Sequence, residues 1–134
     1  MPRANGPFDV TAAPKASDVQ DGNTLSRLSL DKQYRGDLVA TAVGEMLSAV
    51  TSVKGSAAYV AQERVTGTLN GKTGSFVLQH TGVMNRGTPH LVITVVPDSG
   101  TGDLAGLTGS MSIVIEAGKH SYVFDYELSA GEPD

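Results

Sequence analysis

Glu63 and His80 are the residues of this chain whose types and spacing could support acid/base chemistry. They lie in the segment AAYVAQERVTGTLNGKTGSFVLQHTGVM, on either side of the dipeptide Asn70-Gly71. A carboxylate beside an imidazole can orient the ring, which then moves protons to or from a bound molecule. The alternative is a structural pair that links two strands, because buried charges persist chiefly when they are partnered.

The positions of both residues follow from a predicted β-hairpin. Asn-Gly is a strong hairpin signal, because both residues tolerate the positive φ of a type I′ turn. With Asn70-Gly71 as the loop, Glu63 and His80 are diagonal neighbours across the strands. With the loop one residue later, they face each other directly. Either register places both on one face. That face also carries Tyr59, Ala61, Val65, Leu69, Phe76, Leu78 and Met84, and we predict that it is the core face.

A second hairpin is predicted near the C-terminus, with its turn at Gly118-Lys119. Alternation over residues 110–128 separates a polar face from an apolar one that holds Met111, Ile113, Ile115, Tyr122, Phe124 and Tyr126. A phenol on an inner wall can donate a hydrogen bond to developing negative charge. Tyr126, at mid-strand, is the candidate for that role. Core packing is the alternative for this residue and for Tyr59 and Tyr122.

The remaining segments read as further short strands. We predict strands over 8–13, 25–34, 37–50, 90–96, 110–116 and 121–128 in addition to the long hairpin. Pro14–Asn23 is predicted as a rim loop. In the loop Pro97–Gly109, Ser99 or Asp103 is expected to cap a short turn, while Leu104 and Leu107 plug a barrel end. The pattern assigns Glu45 to neither face.

These elements predict an all-β fold, a single eight-stranded antiparallel β-barrel. A two-sheet sandwich is the competing architecture. The predicted organisation is a flexible N-terminal tail over residues 1–7, a barrel domain over 8–128 and a C-terminal tail over 129–134. At 134 residues the chain has the length of one domain.

The composition excludes several classes of function. The absence of cysteine rules out disulfides and thiol chemistry. A net charge of -4 without a cluster of basic residues argues against nucleic acid as a partner. No stretch has the length and hydropathy of a membrane span or a signal peptide, so a cytoplasmic location is expected. The spacing of His80, His90 and His120 matches no zinc motif, and no metal is expected.

Three strings carry a resemblance to a known family. YVAQERVTGTLNGKTGSFVLQHTG, VVPDSGTGDLAGLTGSM and HSYVFDYEL occur in the order found in the DUF3224 family of bacterial proteins, which this chain resembles from about Phe8 to Leu128. The resemblance implies a lipocalin-like (calycin) barrel of the allene-oxide-cyclase type. The string SGTGDLAGLTG is similar to a glycine-rich loop of allene oxide cyclases and dirigent proteins. Those relatives bind reactive organic intermediates and steer their cyclisation or coupling.

We therefore expect a barrel that binds a small apolar organic molecule and acts on it as a cofactor-independent isomerase or cyclase. His80 is the expected general acid or base, Glu63 its orienting partner and Tyr126 a hydrogen-bond donor. The expected ligand-binding residues are Tyr59, Phe76, Leu78, Met84, Met111, Ile113, Tyr122 and Phe124. The alternatives are a non-catalytic carrier and a structural or oligomerising barrel with a filled core. Val39, Val43, Val77 and Val83 are expected on the outer face, where they would suit a homo-oligomer interface.

Overall fold

The computed structural model describes residues 2–128, which form eight antiparallel strands closed into one barrel. The strands are β1 (Arg3–Gln20), β2 (Asn23–Tyr34), β3 (Leu38–Val50), β4 (Ala57–Leu69), β5 (Lys72–Asn85), β6 (Thr88–Val95), β7 (Leu107–Glu116) and β8 (Lys119–Leu128). Each strand pairs with its neighbour in sequence, and β1 pairs with β8. This confirms the predicted all-β barrel over the sandwich. The predicted C-terminal tail, residues 129–134, lies outside the described residues.

The predicted N-terminal tail is wrong over residues 3–7, because β1 begins at Arg3. Its first residues pair with β8, from Arg3 opposite Asp125 to Phe8 opposite His120, and so close the barrel. Apolar alternation is missing from the first residues of the chain, so the sequence pattern does not mark them as a strand. The ladder is built from backbone groups, which do not need that alternation.

The predicted rim loop over residues 14–23 is also wrong. β1 continues to Gln20, paired with β2, and the register shifts between Pro14 and Ala16. A bulge accommodates a residue that cannot donate to the ladder, so Pro14 interrupts the pairing without ending the strand. The chain reverses at Asp21-Gly22, where both residues have positive φ values of 54° and 82°.

The structure confirms the predicted position of the first hairpin turn and moves that of the second. Asn70 and Gly71 have φ values of 46° and 86°, so the first turn lies where the Asn-Gly signal predicted it. Of the two registers left open, the structure has the one that pairs Glu63 with Leu78. The second turn is Ala117-Gly118, one residue earlier than predicted. The residues assigned to each face are unchanged, because the pairs shift by an even number of residues.

One end of the barrel is closed by its own side chains. The Phe76 and Phe124 rings stack with centroids 5.9 Å apart, and Phe124 also stacks on Tyr126. Leu104, in a short 3-10 turn (Gly102–Leu104), and Leu107 are fully buried there, as predicted. This half of the interior is a packed core.

The loop before β7 completes the edge of β5 rather than capping its own turn. Ser99 Oγ accepts a 3.0 Å hydrogen bond from the Val77 N–H, and Thr101 Oγ1 accepts one of 3.1 Å from the Ser75 N–H. The turn begins at Thr101 without a side-chain cap. The predicted capping role of Ser99 or Asp103 is therefore wrong, because their oxygens face the unpaired amides of β5.

The opposite end of the barrel is open. Inward-facing positions there are accessible to solvent, and Met84 is 42% and Ile115 63% exposed. The ladder between β6 and β7 consists of two residue pairs, Ile93 with Met111 and Thr94 with Ser110. The two strands diverge beyond these pairs towards the open end. Across residues 2–128 there is no helix long and apolar enough to span a membrane.

Candidate functional site

A polar cluster lies inside the barrel between its packed half and its open end. Glu63 on β4 is 1% exposed and His80 on β5 is 3% exposed. The His80 Nε2 and Glu63 Oε2 atoms are 2.5 Å apart. Lys32 Nζ donates to the same oxygen at 2.7 Å, and the Tyr34 hydroxyl donates to Glu63 Oε1 at 2.6 Å. The expected pair of Glu63 and His80 is thus in direct contact, within a group of four buried side chains.

The electrostatics of the cluster keep Glu63 ionised. Burial alone would raise the pKa of Glu63, but the hydrogen bond from His80 and the charge of Lys32 outweigh that effect and hold it below its usual value. Burial and the adjacent carboxylate raise the pKa of Tyr34 far above the ordinary range of a phenol. Tyr34 therefore remains a neutral donor to a charged acceptor.

The ionised carboxylate fixes the tautomer of His80. A carboxylate can only accept hydrogen bonds, so Nε2 must carry the shared proton. In a neutral imidazole, Nδ1 then holds the lone pair. Within residues 2–128 Nδ1 has no hydrogen-bonding partner, and no fully buried side-chain nitrogen or oxygen there lacks one. Nδ1 therefore borders accessible space inside the barrel, where it can accept or return a proton.

Lys32 and Tyr34 are the residues that sequence reasoning missed. The interior positions of β2 include Leu30, Lys32 and Tyr34, which alternate with exposed residues. A lysine on an apolar face was the available signal, because a fully buried lysine is rare unless it is paired. The Lys32 ammonium also lies 5.4 Å from the centroid of the Phe8 ring, within the range of a cation–π contact.

Tyr126, the predicted hydrogen-bond donor of the site, is placed elsewhere. Its hydroxyl accepts a 2.7 Å hydrogen bond from the Asn70 side chain in the turn between β4 and β5. Asn70 follows Glu63 by seven residues, a distance of about 23 Å along an extended strand. The structure does not bring Tyr126 to the Glu63–His80 pair.

The predicted ligand-binding residues divide into two groups. Five belong to the buried core: Phe76, Leu78, Met111, Tyr122 and Phe124. Tyr122 has a structural role, because its hydroxyl donates to the Arg35 carbonyl at 2.6 Å and accepts from the Leu38 N–H at 2.8 Å. Tyr59, Met84 and Ile113 lie towards the open end, on the interior face.

Tyr59 is a predicted ligand residue that borders the polar cluster on the side of the open end. The centroids of the Tyr59 and His80 rings are 6.3 Å apart. A Cβ atom built on Gly82 would lie 2.3 Å from the Tyr59 ring, so the missing side chain of Gly82 leaves room for that ring. Burial and the charge of Glu63 raise the pKa of Tyr59.

A groove of about 770 Å³ lies on the outer face of the barrel across β2 to β5. The strand segments that carry Gly44, Ala61, Glu63 and His80 form its floor. Outward side chains line it: Arg27, Val43, Glu45, Leu47, Val60, Gln62, Arg64, Val77, Gln79 and Thr81. Glu45 is therefore an outer residue, paired with Arg27 at 3.4 Å. The Gln62 and Gln79 side chains hydrogen-bond across the groove at 2.9 Å.

Within residues 2–128, neither of the other histidines hydrogen-bonds to the cluster. His90 is exposed on β6, and His120 at the start of β8 packs against the Phe8 ring. In the part of the chain that the structure describes, no three His, Asp or Glu side chains are arranged to hold a metal ion.

Comparison with known proteins places this barrel in a family. The family model described as "Protein of unknown function (DUF3224)" matches residues 4–126. The chain belongs to this family, which confirms the resemblance seen in its sequence. It is similar to a protein of unknown function from the DUF3224 family of Shewanella oneidensis MR-1, whose crystal structure is known. The two share 48% identity over 100% of this chain and 99% of that one, with a TM-score of 0.93. No protein among those with curated functions matches the sequence.

Proposed function

We propose that the protein binds a small, largely apolar organic molecule at the open end of the barrel and isomerises or cyclises it. His80 is the general base or acid, and Glu63 is the positioning residue that holds its tautomer. The observation that carries the proposal is the unpartnered Nδ1 of a buried histidine whose other nitrogen is bound to Glu63. The proposed chemistry requires no cofactor.

The environment of the cluster supports proton transfer to an apolar ligand. Water is largely excluded from the four buried side chains, so the charge of Glu63 acts on His80 with little screening. Inward apolar residues such as Met84, Leu91 and Ile113 surround the approach from the open end. A pocket of that kind can hold a flexible substrate in a reactive conformation.

Binding at the open end is tested with a neutral fluorescent probe, N-phenyl-1-naphthylamine. Ile113→Trp places a large side chain in the interior, whereas the adjacent Val114→Trp places the same side chain on the outer face. We expect the first variant to lose probe binding and the second to keep it. Equal binding by both variants would contradict an interior site. Loss of binding in Val60→Trp alone would assign the probe to the outer groove.

A structural domain is the second candidate function. It is favoured by the packed half of the interior, where five of the expected ligand residues contact one another or other core residues. The same titration separates the two candidates, because a barrel filled throughout binds no probe. Binding without any turnover would indicate a carrier.

A further inference from the structure

The polar cluster has hydrogen-bonding capacity that the protein itself does not use. The Lys32 ammonium has three N–H donors, of which one is bound to Glu63. Among residues 2–128 Lys32 Nζ has no second hydrogen-bond acceptor, and the ammonium otherwise faces the Phe8 and Tyr34 rings. His80 Nδ1 adds an unused acceptor. Because Lys32 and His80 bind the same oxygen of Glu63, these donors and this acceptor belong to one buried cluster.

The charges of the cluster select a neutral ligand. Lys32 and Glu63 are the buried cation and the buried carboxylate of the described interior, and their charges compensate each other. An added carboxylate would leave a net negative charge away from water, which is costly. A neutral polar group that accepts a hydrogen bond from Lys32 carries no such cost.

We infer that the site takes an apolar ketone, aldehyde or enone and catalyses proton transfer at the carbon next to the carbonyl. The inference rests on the proposed function and names its substrate class. A carbonyl oxygen complements the free N–H groups of Lys32, and an acidic C–H beside it complements Nδ1 of His80. Neither an alkane nor a carboxylate matches both groups.

The proton transfer is balanced without a further reactant. His80 Nδ1 takes the proton, and the electrons of the C–H bond form a new C=C bond. The carbonyl π electrons move to the oxygen, which accepts a hydrogen bond from Lys32. The imidazolium then returns the proton to the same carbon or, in an enone, to the far end of the conjugated system. Return to the same carbon exchanges the proton, and return to the far end of the conjugated system gives an isomer; neither changes the composition.

The test measures deuterium uptake by 2-decanone in D₂O, followed by NMR. We expect the wild-type protein to accelerate uptake beside the carbonyl above that produced by an equal concentration of imidazole. His80→Gln should reduce the rate by about 100-fold, the usual contribution of a general base. Lys32→Met should cause a loss of similar size, because it removes a donor to the developing oxyanion.

Exposed residues provide matched controls. His90→Gln and Lys72→Met change the same residue types on the surface and should leave the exchange rate unaltered. The comparison of wild-type protein with imidazole does not depend on whether any variant folds. A wild-type rate no higher than that of imidazole would overturn the inference.

The outcomes also separate this inference from the proposed function. If 2-decanone binds without accelerated exchange, the assigned substrate class is wrong although the interior still binds a small molecule. If decanoate binds in place of the ketone, the site recognises an anion and the inference fails. If neither compound nor the fluorescent probe binds, the proposed function falls as well.

Discussion

Glu63 is the centre of the polar cluster, because three side chains hydrogen-bond to its two oxygens. The buried charges are compensated only while each partner remains in place. Lys32 contributes a cation that would otherwise lie unpaired in the interior. The stability of the barrel is therefore tied to the complete set rather than to any single contact.

Replacement of Glu63 by leucine should strongly destabilise the protein. Glu63→Leu leaves the Lys32 ammonium buried without its counter-charge, a change that typically costs about 3–5 kcal/mol. The measurement is urea unfolding at neutral pH. The double variant Glu63→Leu/Lys32→Met removes both charges and should recover much of the loss. A double variant that is no more stable than Glu63→Leu would show that the loss has another cause.

The lowered pKa of Glu63 predicts loss of stability in acid. A carboxyl group with a lower pKa in the folded state stabilises the fold fully above its unfolded value, and this contribution disappears as pH falls through the folded pKa. We expect the free energy of unfolding to decrease below about pH 4.5, the ordinary value for this group. Glu63→Gln should flatten the curve in that range. Identical curves for the two proteins would contradict the coupling.

Two of the four residues of the polar cluster were predicted from the sequence, because both lie in the same hairpin. Glu63 and His80 are joined by a two-residue turn, so one hairpin register is enough to place them on the same face. Lys32 and Tyr34 come from β2, which is separated from β4 by β3. Their contacts with Glu63 cross the small inward residues Ala42 and Gly44 of β3, a strand whose inner face the sequence pattern did not assign. Tyr126 was predicted on the correct face. Its distance from Glu63 and His80 could not be inferred from the alternation of faces along a strand.

The loop over residues 96–105 behaves as an addition to the sheet. Val96 and Thr101 donate backbone hydrogen bonds to the Val77 and Ser75 carbonyls, and the Ser99 and Thr101 side chains accept from the same β5 residues. An irregular segment thus covers an edge that β6 leaves unpaired. Covered edges are protected against pairing with other chains.

Thr101→Val should weaken this edge measurably. The valine keeps the shape of the side chain but removes the acceptor of the Ser75 N–H and the contact with the Ser75 hydroxyl. We expect a loss of about 1 kcal/mol, together with faster hydrogen exchange of the Ser75 amide. Thr108→Val, an exposed threonine on β7, is the matched control. If both variants lost the same stability, the hydrogen bonds to β5 would not be the cause.

Strand positions were predictable where the apolar pattern alternates and uncertain where it does not. The Asn-Gly turn and the faces of β4, β5, β7 and β8 follow from the alternation alone. The extension of β1 on both sides of the predicted strand over 8–13 does not follow from this alternation. Its residues are polar or small and mostly exposed, and their strand geometry is imposed by pairing with β2 and β8.

The outer face of the barrel carries an exposed apolar patch. Val39, Val43, Leu47 and Val60 lie on the adjacent strands β3 and β4, and each is at least half exposed. Val39 and Val43 were expected on this face. Leu47 and Val60 face each other across the two strands, whereas Thr41 and Glu45 separate the three β3 residues. Exposed apolar groups on one face are typical of contacts between proteins.

We expect the patch to bind the same patch of a second copy. Leu47→Glu should shift the protein towards the monomer in light scattering coupled to size-exclusion chromatography. Ser112→Glu introduces the same charge on the outer face of β7, at an exposed position away from the patch. A monomeric wild-type protein at high concentration would rule out this association, and an equal effect of both variants would assign it to charge alone.

The first strand should be essential for the whole barrel. Deletion of residues 1–7 removes nearly all of the ladder between β1 and β8, including the pairing of Arg3 with Asp125. We expect the truncated protein to lose cooperative thermal unfolding, measured by circular dichroism. Arg3→Ala should change stability little, because its ion pair is exposed. A truncated protein as stable as the full chain would show that the barrel does not depend on this seam.

The seam between β1 and β8 also brings the two ends of the described residues, 2–128, close together in space. The Tyr126 N–H donates to the Pro2 carbonyl at 3.1 Å, although the residues are far apart in sequence. A linker could therefore join the start of β1 to the end of β8, and new ends could be opened at Asn70-Gly71 without interrupting a strand. Such a circular permutant would turn the longest-range ladder of the barrel into a local hairpin. The sequence separation of the β1–β8 contacts would fall, so the folding rate of the permutant would show whether closure of the barrel is the slow step.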